Sequence, residues 1–113
     1  MPLSKQIWFR VGGLSGALSV GAAAYGAHGF QTDDEALQKS YDNGKSLHMI
    51  HSAMIAIAPI TRRPHLVGTL FTAGTGIFSG SCYAKALTGE GKYGQFAPIG
   101  GTTLILAWLA LVL

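Results

Sequence analysis

Charge is scarce in this sequence. Five acidic and eight basic residues make 12% of 113 positions, about half the share of a water-soluble domain. They are missing altogether from Val11 to Thr32, Ser46 to Thr61, Pro64 to Ala84 and Tyr93 to Leu113, runs of 22, 16, 21 and 21 residues. A single cysteine, Cys82, excludes an internal disulfide, and with it CxxC redox and zinc patterns. The basic residues flank the charge-free runs and form no continuous face with interleaved aromatics, which excludes nucleic-acid binding. Gly12-Gly13 with Gly16 follows no strand and precedes no suitably spaced acid, so it is not a dinucleotide loop.

What remains is apolar, with a mean hydropathy of +0.34. A helix needs about 20 largely apolar residues to cross a hydrocarbon core of about 30 Å at a rise of 1.5 Å per residue. Three runs meet that length, and the second reaches it if its helix begins within Gln38–Lys45, with Lys39 and Lys45 snorkelling. A soluble core built on the 16 glycines is the competing solution. It fails because the charge-free runs cover 80 of 113 residues and leave too little polar surface for so small a globule. The expected fold is therefore all-α, a four-transmembrane-helix bundle. It is one integral membrane domain over 1–113, with spans at about 8–29, 44–60, 64–86 and 96–113.

Local signals punctuate these spans. Lys5, Arg10 and Ala22-Ala23-Ala24 imitate a signal peptide, but the apolar run continues to Phe30 and suits a retained helix better. Gln31–Lys45 holds four of the five acids, and Asp33 or Asp34 can cap a helix. Leu37, Tyr41 and Leu47 fit a short interfacial helix that leads into the second span. Pro64 suits the first position of the third, where its missing N–H costs nothing. Basic residues divide evenly between the two faces, so the first helix decides, and it leans towards termini on the cytoplasmic or matrix side.

In lipid, helices associate by close packing. Small residues recur every fourth position as Gly13, Ala17 and Gly21 in the first span, and as Gly68, Thr72, Gly76 and Gly80 in the third. These stripes are expected to seal the bundle against itself; the sharper alternative is a face for a partner subunit. Trp8, Tyr41, Tyr93 and Trp108 read as interface anchors or lipid-facing fillers. Ser79-Gly80-Ser81-Cys82 lacks a nearby base, and its serines are expected to bond backbone.

His28, His48 and His51 form the one polar constellation. His48 and His51 share a helical face, and antiparallel spans would set all three at similar depth. Such imidazoles could ligate haem or a metal, relay protons, or bind a quinone or lipid head group. No carboxylate lies in any span to support a metal or a relay. The simpler reading is a structural clasp between helices, and no cofactor is expected.

Tyr25-Gly26-Ala27-His28-Gly29, His51-Ser52-Ala53-Met54, Phe78-Ser79-Gly80-Ser81-Cys82-Tyr83, Leu87-Thr88-Gly89 and Pro98-Ile99-Gly100-Gly101 with Trp108 extend over nearly the whole chain. Together they resemble the transmembrane protein 256 family, small multi-pass proteins with bacterial relatives. The resemblance implies a membrane protein, mitochondrial in animals, with no known activity. It matches His28 and His51 better than His48, which favours a His28–His51 clasp. The functional expectation is a non-enzymatic structural or accessory subunit of a larger membrane complex, a respiratory one, in the mitochondrial inner membrane, with the lipid bilayer and other membrane proteins as partners and no nucleic acid. The alternatives are a small oligomeric carrier or channel, and a haem or quinone protein using His28 and His51.

Overall fold

The computed structural model describes residues 2–113; Met1, the first residue of the expected domain, lies outside them. The chain forms α1 (Leu3–His28), α2 (Glu35–Ile57), α3 (Pro64–Thr88) and α4 (Ala97–Ala110), with 3-10 turns at Ala58–Ile60 and Gly91–Phe96. No strand occurs among the described residues.

The boundaries follow from local chemistry. Asp34 caps α2 by accepting the amides of Ala36 at 2.9 Å and Leu37 at 3.4 Å. Pro59 tightens the turn after α2, and Pro64 opens α3. Gly89 ends α3 with φ of 74°, the left-handed conformation that glycine adopts without strain, and its N–H bonds the Lys85 carbonyl. The expected short interfacial helix does not exist as a separate element. Nothing between Glu35 and Ser46 breaks the backbone ladder, so those residues are the first turns of one continuous α2.

Of the four helices, α1 alone combines the length and apolarity needed to cross a membrane. The first half of α2 carries Glu35, Lys39, Asp42 and Lys45, α3 is diluted with Gly, Ser and Thr, and α4 has only 14 residues.

Successive helices pack antiparallel. Gly12 of α1 lies against Ala56 of α2, Gly44 of α2 against Cys82 and Ser79 of α3, and Gly74 and Phe78 of α3 against Leu104 and Gly100 of α4. A Cβ at any of these four glycines would come within 2.8 Å of a neighbour, so each marks a true seam. Ile55, Val67, Phe71, Leu104, Ala107 and Ala110 fill the core at the α2–α3–α4 end. However, α1 touches α3 only sparsely, and α1 and α4 do not meet. The result is an open row of helices, 47 × 25 × 16 Å, and the expected closed bundle is corrected to that.

Candidate functional site

The three histidines do not converge. His28 is exposed at the end of α1 and has no hydrogen-bond partner among the described residues. His51 is 4% exposed and faces the other way, into the core beside Phe71. Its Nε2 accepts the indole N–H of Trp108 at 3.0 Å, so its Nδ1 carries the proton and donates to the Leu47 carbonyl at 2.7 Å. The expected His28–His51 clasp is therefore replaced by a His51–Trp108 clasp between α2 and α4. The position of His51 in the second expected span could not reveal this, because the partner lies 57 residues away.

His48 belongs to a different set. Its Nδ1 lies 3.0 Å from the Tyr83 hydroxyl and its Nε2 3.1 Å from Ser15 Oγ; Ser15 Oγ is 2.6 Å from Ser52 Oγ. Ser52 spends its one proton on the His48 carbonyl, at 2.7 Å. Counting protons then sets two directions: Ser15 donates to Ser52, and His48 Nε2–H donates to Ser15. For a neutral His48 ring, Tyr83 donates to Nδ1, and the chain of donors dead-ends on a backbone carbonyl. Such a set joins α1, α2 and α3 but carries no proton across the molecule. With both ring nitrogens of His48 and of His51 engaged, neither ring is free to bind a metal.

Two further aromatic residues are held by contacts within the chain. Tyr41, 2% exposed, stacks on Phe30 and donates its hydroxyl to the Ala22 carbonyl, so it is core and not a lipid-facing filler. Trp8 donates to His65 Nδ1 at 3.2 Å, and its ring covers Gly68 so closely that a Cβ there would collide with it. Ser79 donates to the Gly44 carbonyl of α2 at 2.8 Å, whereas Ser81 bonds the Ile77 carbonyl of its own helix.

Apart from Gly68 under the Trp8 ring, the small-residue stripes do not seal a seam. A Cβ on Gly13, Gly21, Gly76 or Gly80 would meet nothing within 4 Å. Instead Ala17 and Gly21 of α1, with Thr72, Gly76 and Gly80 of α3, line a cleft between these two parallel helices, floored by α2. Its main cavity has about 480 Å³ and an adjoining one about 380 Å³. Tyr41 and Tyr83, with ring centroids 5.3 Å apart, line the adjoining cavity. His48, Ser15 and Tyr83 lie on the cleft wall. Sequence spacing identified the stripe residues but not the space between them, because a glycine's spacing does not say whether a backbone approaches it.

Residues 22–101 match the family described as "Protein of unknown function (DUF423)". The chain is 33% identical to a UPF0382 membrane protein of Schizosaccharomyces pombe, covering 94% of this chain and 98% of the relative. It is 33% identical to one of Staphylococcus saprophyticus, covering 96% and 95%, and 31% identical to the UPF0382 membrane protein YwdK of Bacillus subtilis, covering 95% and 94%. No solved structure matches the chain.

Proposed function

The chain belongs to the DUF423/UPF0382 family of membrane proteins, which has yeast and bacterial members, and from that premise we propose that it crosses the bilayer four times and serves as a non-catalytic accessory subunit of a larger membrane complex. One observation carries the reading: the outer side of α1 has no partner in the chain. Gly13 there meets nothing within 4 Å, and Leu14 and Val20 are both more than 60% exposed. A small residue among large apolar ones is the surface on which another transmembrane helix packs closely. The polar side chains support the non-catalytic part, since His48, His51, Ser52 and Ser79 are committed to helix-joining hydrogen bonds. A carrier would need a polar path across the membrane, and these groups close on one another instead.

Bacterial relatives have no mitochondria, so a role confined to the mitochondrial inner membrane does not fit the family. Respiratory assemblies occur in that membrane and in the bacterial plasma membrane alike, and such an assembly is the host this reading names. The test is native-gel migration of the tagged protein after mild detergent extraction, with mass spectrometry of its band. Co-migration with a large assembly supports the reading, and Gly13→Leu, at a position whose Cβ meets nothing within 4 Å, should abolish it without lowering the melting temperature. Migration of the unmodified protein alone would sink it.

A further inference from the structure

The cleft between α1 and α3 contains two side chains that the fold does not explain. Thr72 Oγ1 and Thr75 Oγ1 are buried and have no hydrogen-bond partner, and Thr75 is only 5% exposed. Thr88 of the same helix, and Thr102 and Thr103 of α4, behave differently: each donates to the carbonyl four residues back, at 2.6 to 2.9 Å. A buried hydroxyl left unpaired is costly, more so at membrane depth where no water can replace the partner. Both threonines line the same cavity; their oxygens are shielded from it as they stand, and a turn about χ1 puts the hydroxyl in the place of the methyl that faces it.

The surroundings define what could satisfy them. No Asp, Glu, Lys or Arg lines the cavity, so a charged ligand would be stranded. Val11, Leu18 and Ile55 supply apolar wall, and Gly76 and Gly80 leave the width. The nearby polar protons are already spent: that of Tyr83 on His48, that of Ser79 on the Gly44 carbonyl. The uncommitted protons are those of the two threonine hydroxyls, and one carbonyl oxygen, with two lone pairs, can accept both. Thr75 sits about 16 Å along α3 from Pro64 and about 20 Å from Thr88, near the middle of the helix. Ester carbonyls of a bilayer phospholipid lie at the interface, too shallow to reach it. A volume of about 480 Å³ is that of a small-molecule site.

From these observations we propose that the α1–α3 cleft binds an uncharged lipophilic molecule bearing a carbonyl oxygen on its ring, the chemistry of a quinone, entering sideways from the bilayer. The carbonyl accepts from Thr72 and Thr75, and the apolar tail runs between the small residues of the two walls. This site uses neither His28 nor His51, and it stands whether or not the protein has a host complex.

The test is equilibrium binding of tritiated decylubiquinone to the full chain in phosphatidylcholine nanodiscs, with decylbenzene, which lacks the carbonyls, as competitor. Saturable binding that decylbenzene displaces poorly is expected. Thr72→Val with Thr75→Val keeps shape and removes both donors; it should weaken binding about twentyfold, two neutral hydrogen bonds' worth, and leave the ligand-free melting temperature unchanged or raised. Gly76→Leu, with open space at its Cβ, should abolish binding and still fold. The proposal is overturned if no saturable binding occurs, if decylbenzene competes equally, or if either variant binds like the unmodified protein. A lower melting temperature for the double valine variant would also overturn it, because the hydroxyls would then already have partners in the empty protein.

Discussion

His51 is held from two sides, by the Trp108 indole N–H and by the Leu47 carbonyl, in a pocket shared with Phe71. Trp108→Phe keeps most of the aromatic packing but strands Nε2 without a donor. A loss of about 1–3 kcal/mol is expected, the range for an unsatisfied buried polar atom, readable as a lower melting temperature by circular dichroism in detergent. His28 supplies the contrast. It is exposed and bonds nothing among the described residues, so His28→Ala should stay within about 0.5 kcal/mol of the unmodified protein. If the two histidines did clasp one another, His28→Ala and His51→Ala would cost alike and the double variant little more. Ser15→Ala tests the second set: it leaves His48 Nε2–H without an acceptor and should cost about 1 kcal/mol, because His48 is only half-buried.

Adjacent glycines separate at the level of the helices. Gly12 and Gly13 have the same propensity, yet a Cβ on Gly12 would lie 2.6 Å from the Ala56 nitrogen and one on Gly13 would touch nothing. Gly12→Ala should therefore destabilise by about 1–3 kcal/mol through forced separation of α1 and α2. Gly13→Ala should be neutral or gain up to about 1 kcal/mol from helix propensity. Gly100 and Gly101 repeat the test on α4, since a Cβ on Gly100 would strike the Phe78 backbone while one on Gly101 would make an ordinary 3.8 Å contact. Chemical denaturation in mixed micelles reads all four. These pairs also show what the sequence made legible. Helix count, the Asp34 cap, the Pro64 start and the turn at Gly89 all rest on local chemistry, and a single sequence displays local chemistry. Which glycines form seams depends on the rotation of each helix about its axis, and a helix such as α3, with small residues on several faces, leaves that rotation open. For the same reason the stripe at Thr72, Gly76 and Gly80 was legible as a stripe but not as the wall of a cleft. Trp108 and Tyr83, the partners that define the histidine environments, carry no spacing signal at all.

Four membrane crossings are a property of the whole molecule, and the helices taken singly do not guarantee them. α4, at about 21 Å, is shorter than a hydrocarbon core of about 30 Å. However, Leu111, Val112 and Leu113 continue its apolar character, and the turn at Gly91–Phe96 precedes it. The charges of α2 are confined to Glu35–Lys45, leaving Ser46–Ile60 free of them. The long axis of 47 Å also matches a bilayer with its head groups, about 40–45 Å. Short or partly polar helices can be carried across when neighbours pack against them and the bilayer thins locally, and α3 has such neighbours in α2 and α4. Two topologies are thus distinguishable. In a Cys82→Ala background, single cysteines at Ser4, Thr32, Arg62 and Glu90 report the side of each connection to a membrane-impermeant maleimide applied to sealed vesicles. Four crossings set Ser4 and Arg62 on one side and Thr32 and Glu90 on the other. If α1 alone crosses, Thr32, Arg62 and Glu90 all label from the side opposite Ser4. The alternating pattern is the expected outcome, because only it buries the exposed apolar residues of all four helices, from Leu14 and Ile50 to Leu66 and Ile105, in lipid at once.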